Sequence, residues 1–229
     1  MLLPAAVVLV CASAFAQQAP APLPEGVYRA GNGVTQPSVI RKTEVDFSEE
    51  ARIAKMSGTV LMSVIVGDDG KVRDVRVDRS LGLGLDERAI EAVRTWQFKP
   101  GIKDGMPVAV AVNVEVNFRL QGGSRWFLSR AVFNSPEGTT RPFLLQAPYP
   151  PDMNTPADIN NGPNGSVAIS LDVEPDGIPA NLHIEKSSNT ALESEVIRIV
   201  RGWQFRPGMK DGQPVPVRCT LEFAEGKVP

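Results

Sequence analysis

The stretch RTWQFKPGIKDGMPV occupies positions 94–108, and a near-copy, RGWQFRPGMKDGQPV, occupies positions 201–215. The two stretches are 107 positions apart (201 − 94). The same offset relates Asp69-Gly70 to Asp176-Gly177, with no insertion or deletion in between. A shared register of this length indicates two copies of one unit of about 80 residues, which is typical of tandem domains and not of a solenoid.

Alternating apolar residues predict the strands of each copy. Every second residue is apolar over 60–66 in the first copy and over 167–173 in the second, as in a half-buried strand. Each run ends at an Asp-Gly turn, which favours a tight hairpin, so an antiparallel strand should follow. The final strand of each copy alternates in the same way, over 108–118 and 215–223.

A helix is predicted before the final strand of each copy. It should end ahead of Pro100 in the first copy and Pro207 in the second, because the residue before proline avoids helical angles. A short helix over 48–55 is predicted to precede the first copy. The apolar stripes have helical spacing: Leu85, Ala89, Val93 and Trp96, then Leu192, Val196, Val200 and Trp203. Each copy is therefore predicted as an α+β unit, β-β-α-β, with an antiparallel three-stranded sheet and one main helix.

The repeated stretch itself predicts a connection between helix and strand. Trp96 and Phe98 are large apolar anchors at the end of the helix, and Pro100-Gly101 ends it. The turn over 103–105 then leads into the final strand. Packing accounts for this stretch, and no chemical role is predicted for its tryptophan.

Composition argues against several functional classes. The 229 residues carry 24 basic and 26 acidic side chains, for a net charge of −2, and no basic block suggests nucleic-acid binding. Beyond the first sixteen residues, which read as a cleaved signal (below), the chain has one histidine and one cysteine, too few for a metal tetrad of histidines and cysteines. His183 is predicted to face solvent, and Cys219 is predicted to be buried. No catalytic constellation can be assembled, so neither an enzyme nor a cofactor is predicted.

The first sixteen residues are apolar, uncharged and end in Ala14-Phe15-Ala16, a pattern typical of a secretory signal cleaved after Ala16. This signal predicts an exported protein. Two alternatives are an uncleaved N-terminal anchor and lipidation of Cys11. The predicted organisation is a signal peptide over 1–16, a Pro/Gly-rich linker over 17–43, domain 1 over 44–120, a connecting segment with a possible strand over 121–147, and domain 2 over 148–225.

The motifs of the first copy resemble the C-terminal domain of TonB energy transducers. They are Gly-x-Val, Asp-Gly, Ser-x-Gly-x-x-Leu-Asp, Ala-x-x-Ala-Val-x-x-Trp-x-Phe-x-Pro and Gly-x-Pro-Val. These motifs stand at 58–60, 69–70, 80–86, 89–100 and 105–108. The second copy resembles the domain more loosely.

The resemblance implies a periplasmic domain that binds the box peptide of outer-membrane TonB-dependent receptors by strand addition. It links the protein to energy-dependent transport across the outer membrane, with inner-membrane motor proteins as further partners. The implied binding edge is the final strand of each copy, at Val108, Val110, Val112 and Asn113 in the first and Val215, Val217 and Thr220 in the second.

The alternative is an envelope scaffold or peptidoglycan-binding protein that transduces nothing. The two functions differ in what they require of the final strands. If neighbouring chain covers both strands completely, receptor docking is excluded and a scaffold remains.

Overall fold

The computed structural model describes residues 22–119, 126–149, 165–188 and 190–225. The predicted signal peptide lies outside these ranges. The elements in chain order are β1 (Val27–Arg29), β2 (Ser38–Arg41), α1 (Glu49–Ile53), β3 (Gly58–Val66), β4 (Val72–Arg79), α2 (Leu85–Thr95), β5 (Gln97–Lys99), β6 (Gly101–Lys103), β7 (Met106–Phe118), β8 (Trp126–Asn134), β9 (Phe143–Gln146), β10 (Ser166–Val173), β11 (Pro179–Ser187), α3 (Thr190–Arg201), β12 (Gln204–Arg206), β13 (Gly208–Lys210), β14 (Gln213–Val215) and β15 (Val217–Glu225). The predicted α+β class is confirmed.

The main sheet of the first copy has the strand order β1-β7-β3-β4. Its last three strands are antiparallel neighbours, as the sequence predicts. The fourth strand, β1, was not predicted, and it pairs with β7 in parallel over Val27–Arg29. Together with β6, which also pairs with β7, the sheet therefore holds two strands more than the β-β-α-β pattern provides.

The main sheet of the second copy has the order β11-β10-β15-β8. Its added strand, β8, belongs to the connecting segment, where the sequence predicts a possible strand. It pairs antiparallel with β15 along almost the whole of that strand. The two copies thus share three strands and differ in the direction and length of the fourth.

The prediction of a linker over 17–43 is wrong for residues 22–43, the part that the structure describes, because two strands form there. Strand β1 joins the main sheet, and β2 pairs antiparallel with β5. These strands are only three and four residues long, too short for an alternating pattern to stand out among prolines and glycines. The segment before the first copy is consequently part of its fold.

The two main helices bury the predicted stripes. All eight stripe residues are at most 6% exposed. Helix α2 begins after Gly84 and ends at Thr95, so Trp96 caps it and turns its side chain into the core. The short helix α1 begins after Ser48, whose side chain accepts a hydrogen bond from the Ala51 amide.

The repeated stretch docks on the repeated Asp-Gly hairpin of the same copy. The Phe98 amide donates to the Gly70 carbonyl over 3.0 Å, and the Phe205 amide donates to the Gly177 carbonyl over 2.9 Å. Both glycines have positive φ, and a Cβ on either would lie about 2 Å from the phenylalanine carbonyl oxygen. In each copy, the Asp-Gly turn and the stretch around the phenylalanine therefore contact each other. This contact explains why the two motifs are duplicated together.

A second repeated contact lies upstream of the predicted domains. The Thr35 hydroxyl accepts from the Ile102 amide over 2.8 Å, and the Thr140 hydroxyl accepts from the Met209 amide over 2.9 Å. Thr35 and Thr140 are 105 positions apart (140 − 35), two fewer than in the main register. The duplication therefore extends to the strands β2 and β9.

The two copies pack against each other and share one core. Their buried apolar residues form a single cluster. Strand β8 lies between the copies: the Ser57 amide donates to the Leu128 carbonyl over 3.0 Å, and the Ala131 amide donates to the Leu81 carbonyl over 2.8 Å. Gly82 permits this approach, since a Cβ there would lie 2.0 Å from the Ala131 carbonyl oxygen.

A buried ion pair also joins the copies. Glu50 on α1 is 2% exposed. Its carboxylate accepts from the Arg141 guanidinium at 2.9 and 2.6 Å and from the Leu144 amide at 2.9 Å. The hydrogen bond to Glu50 is the main cause that raises the pKa of Arg141. These bonds hold β9 of the second copy against α1 of the first.

We expect Gly70→Ala to lower the free energy of unfolding by about 3 kcal/mol. Roughly 1 kcal/mol comes from the positive φ, and the rest comes from the clash with the Phe98 carbonyl. Gly138→Ala is the matched control, because Gly138 has φ 76 with nothing within 4 Å of the added Cβ. Urea unfolding measures both variants, and equal losses would contradict the docking contact.

We expect Glu50→Ala to cost about 3 kcal/mol in urea unfolding, because it leaves the Arg141 charge and the buried Leu144 amide without their acceptor. The value lies at the low end for a broken buried pair, since the Arg141 side chain is 38% exposed. Glu49→Ala, in the same helical turn but exposed, should cost less than about 1 kcal/mol. A loss at Glu50 no greater than that at Glu49 would exclude this role.

Candidate partner-binding edge

The three strands that both copies share have two outer edges in each main sheet, four in all, and these edges differ in how each is protected. An unpaired edge is a row of free backbone hydrogen-bonding groups that invites another strand. The edges are those of β4 and β7 in the first copy, and of β11 and β15 in the second. Which of these edges stays open decides where a partner strand could bind.

The edges of β4 and β11 are protected by their own residues. Charged side chains occupy five of the eight positions in β4. The second edge, β11, begins with Pro179 and carries Glu185 and Lys186. Both strands also show register shifts against their neighbours, as at a β-bulge. Charges, proline and bulges all discourage pairing with a further strand, so these edges are poor docking sites.

The edge of β15 is covered. Strand β8 pairs with it from Arg218 to Glu225, and Glu222 lies opposite Arg130. Thr220, one of the predicted edge residues, lies between Ser170 on one side and Val132 on the other. The prediction of an open edge on the final strand of the second copy is therefore wrong, because the connecting segment supplies a strand that pairs with it.

The edge of β7 is covered only at its beginning. Strand β6 pairs with Met106–Val108 in a hairpin, and β1 pairs with Ala109–Ala111. Beyond Ala111, the outer side of β7 has no backbone pairing with any described residue, whereas its inner side pairs with β3 as far as Phe118. Among the described residues, positions 112–118 are therefore the open stretch of β7.

The open stretch has one apolar face and one polar face. Val112, Val114, Val116 and Phe118 are each at most 9% exposed. Asn113, Glu115 and Asn117 are exposed on the opposite face. Phe47 packs edge-to-face on Phe118, with ring centroids 5.4 Å apart. The buried side chains fix the backbone of this strand, so its free edge is held in an extended conformation.

A groove of about 420 Å³ lies where the open stretch begins. Its lining includes Pro22–Pro24, Ile65, Ala111 and Asn113, on the polar face of the sheet. The second copy has Asp172 and Arg218 in place of Ile65 and Ala111. There the guanidinium donates to the carboxylate at 2.7 and 2.9 Å. The two copies have therefore diverged at this face: an ion pair occupies these two positions in one, and a groove lies beside them in the other.

The predicted edge residues divide into three groups. Val112 and Asn113 lie in the open stretch. Val108, Val110 and Val215 are paired by β6, β1 and β13, respectively. Val217, 1% exposed, and Thr220 belong to the covered strand. Only the first group is available to a partner strand.

The predicted edge strand, 108–118, contains the rest of the open stretch, positions 114–118, although none of these residues is among the named edge residues. Their alternation marks them as strand residues. Only the pairing of the neighbouring strands distinguishes them from the covered positions. No sequence signal separates the open half of β7 from the closed half.

The remaining histidine and cysteine lie in places that need no chemical role. His183 is exposed on β11, and Cys219 is buried, where desolvation raises the pKa of its thiol. Within the ranges that the structure describes, no three His, Cys, Asp or Glu side chains come together as a metal site. None of the three helices in those ranges has the length and apolar character needed to span a bilayer.

Comparison with known proteins gives the family. The sequence profile described as "Gram-negative bacterial TonB protein C-terminal" matches residues 43–120 and again residues 156–224. The chain belongs to the TonB C-terminal family. The two matches follow the internal duplication, and together they cover more than half of the chain.

Two individual proteins are similar over part of their length. The protein TonB of Vibrio cholerae serotype O1 is 29% identical over 102 residues, which are 41% of this chain and 42% of that protein. This TonB-family chain therefore spans less than half of that relative. The solution NMR structure of the Pseudomonas aeruginosa TonB CTD shares 20% identity with a TM-score of 0.33, covering 40% of this chain and 90% of that one.

We expect the Asp172–Arg218 pair to make stability depend on pH in acid. The hydrogen bond from Arg218 is the main cause that lowers the pKa of Asp172. A lowered folded-state pKa stabilises the fold above the unfolded value of about 3.9, and this stabilisation is lost as the pH falls through the folded value. Urea unfolding between pH 5 and pH 2 should show a smaller acid loss for Asp172→Asn than for the wild type.

The control for this measurement is Asp104→Asn, in the exposed hairpin turn between β6 and β7. Its acid loss should match that of the wild type. An unchanged acid loss in Asp172→Asn would contradict the assignment.

Proposed function

We propose that this chain is a periplasmic TonB-like protein whose first copy binds outer-membrane TonB-dependent receptors by strand addition. The bound receptor segment would pair with the open stretch of β7, positions 112–118. The observation that carries this proposal is the contrast between that edge and the other three. Within the part of the chain that the structure describes, it is the edge that lacks both a covering strand and the charges, proline or bulges that protect β4 and β11.

The geometry of the edge suits an extended peptide. The strand is held rigid by its buried face, so little conformational entropy is lost on its side when a partner binds. Backbone hydrogen bonds would supply affinity, and side chains at alternate positions would supply selectivity. Membership of the TonB C-terminal family supports receptors as the partner class and supports a link to energy-dependent transport across the outer membrane.

The second copy has a different part in this proposal. Its final strand already has a partner in β8, and its contacts with α1 and with β8 brace the first copy. We propose that it acts as a structural support that leaves a single receptor-binding edge. The predicted domain limits, 44–120 and 148–225, belong to this proposal.

The covered strand also favours the alternative function, an envelope scaffold or peptidoglycan-binding protein. If the open stretch has no receptor partner, a duplicated and internally braced fold would serve as a spacer. Sedimentation with purified cell wall tests this function separately. The proposal of motor-protein partners needs its own test, by co-purification from membranes.

Disulfide trapping tests receptor docking. Asn113→Cys and its equivalent Thr220→Cys (113 + 107) would be made in a chain that also carries Cys11→Ser. Each would be incubated with a receptor box peptide that contains one cysteine. We expect a disulfide-linked product with Asn113→Cys, at least about tenfold more abundant than with Thr220→Cys, because β8 occupies the second edge.

Two controls make the trapping result specific. Cys219 should remain unreacted in both chains, because it is buried and desolvation raises the pKa of its thiol. Reaction of each new cysteine with a small thiol reagent corrects for exposure. Equal trapping at the two positions, or none at position 113 with any receptor peptide, would contradict docking at this edge.

A further inference from the structure

The covered edge of the second copy contains a bound strand, and it can be compared with the open edge of the first. Glu222 on β15 is the equivalent of Glu115 on β7 (115 + 107). Strand β8 places Arg130 directly opposite Glu222, with the guanidinium Nη1 3.3 Å from the carboxylate Oε1. Within β8, whose sequence is WFLSRAVFN, Arg130 is the one charged residue. The single cation of this strand is therefore aligned with the carboxylate.

Glu115 has no such partner. Its neighbour on β3 is Leu61, which cannot form an ion pair. Beyond Leu61 lies Arg79 on β4, two strand spacings or about 9–10 Å from β7. Among the described residues, none makes a hydrogen bond or ion pair with the Glu115 carboxylate. The side of β7 on which β8 would lie, if the copies were alike, is the open one.

The residues around Glu115 leave its charge uncompensated. Asn113 and Asn117 flank it on the same face, and both are neutral. The Asn117 amide oxygen already accepts a hydrogen bond from the Thr59 hydroxyl. Glu115 is consequently the only charged side chain along positions 112–118. A strand added at this edge places one side chain within about 5.5 Å (Cβ to Cβ) of Glu115 on the exposed face.

This charge disfavours a second copy of the same chain as the occupant. Pairing two open stretches antiparallel over all of positions 112–118 centres the contact on position 115. Glu115 would then lie directly opposite Glu115, and like charges at that position destabilise a pair of strands. Any other antiparallel register shortens the contact. The edge is therefore suited to a partner of opposite charge.

We infer that the strand bound by the first copy carries a lysine or arginine opposite Glu115, as β8 carries Arg130 opposite Glu222. This inference rests on the proposed strand addition and names the chemistry of its partner. The residue facing Val114 should be small, since Ala131 faces the equivalent Leu221, and the one facing Val116 should be a larger aliphatic, since Leu128 faces Phe223. The expected partner is an extended apolar segment with one central cation.

The test uses two peptides and three full-length chains. One peptide has the sequence of Trp126–Asn134, and the other has the same sequence with Arg130→Glu. The chains are the wild type, Glu115→Lys and Glu137→Lys. Glu137 is exposed in the loop after β8, so the last variant changes the net charge equally without touching the edge. Fluorescence anisotropy of the labelled peptides measures the dissociation constants.

We expect the wild type to bind the arginine peptide roughly three- to tenfold more tightly than the glutamate peptide. Glu115→Lys should reverse this preference, and Glu137→Lys should leave it unchanged. The preference should shrink as salt is raised from about 0.05 to 0.5 M, because the pair is exposed. Disulfide trapping at Asn113→Cys, with versions of each peptide that carry Val132→Cys at the position facing it, confirms that binding occurs at β7.

Three results would overturn the inference, and each is distinct from failure of receptor docking. The first is equal binding of both peptides by the wild type and Glu115→Lys, which would leave strand addition without a charge preference. The second is trapping of receptor peptides at position 113 while neither β8 peptide binds. The third is sedimentation of the wild type as a dimer that Glu115→Lys disrupts, which would make a second copy the occupant.

If no peptide of any kind is trapped at position 113, docking itself fails.

Discussion

Strand β8 is the element on which the asymmetry of this molecule depends. Duplication produces two final strands, β7 and β15, and each offers an outer edge. The connecting segment supplies one long strand, and β8 pairs with β15 while its other side bonds to Ser57 and Leu81 of the first copy. Because both sides of β8 are used in this way, it is committed to the second edge. Among the described residues, the first edge is left with only the three-residue strands β6 and β1.

This placement joins two small domains into one body. A unit of about 80 residues buries a limited fraction of its surface and is correspondingly marginal in stability. Here the buried residues of both copies form one cluster, and Glu50 reaches across to Arg141 and the Leu144 amide. A strand edge that must stay open adds no stability of its own. The second copy offsets this by contributing packing instead of a second open edge.

The duplicated elements could be predicted from sequence because their signals are local. The alternation of β3 and β10, the Asp-Gly turns and the helical stripes ending at Trp96 and Trp203 all repeat with one offset, and the structure contains each of them. The strand pairing inside each copy follows from hairpin geometry and short connections. The α+β class and the family were accessible for the same reason.

The open edge could not be predicted, because edge status depends on which distant segment arrives beside a strand. Residues 27–29 are too few to show a period, and the upstream repeat at Thr35 and Thr140 is displaced by two positions from the main register. A strand was predicted near 126–133, but its sequence does not state whether β7 or β15 receives it. Cys219 is the equivalent of Val112 (112 + 107) and stands in the same alternating pattern, although one is covered and the other is at the free edge.

The charge pattern of the edges gives a physical account of how an open strand can persist without self-association. On β4, charges occupy most positions and discourage any partner. The open stretch carries a single carboxylate at its centre, where self-pairing in full register would bring two carboxylates together. A cation at the same place on a partner strand turns that repulsion into attraction. One residue, Glu115, thus opposes full-register pairing with a second copy and also favours a partner of the kind that β8 represents inside the molecule.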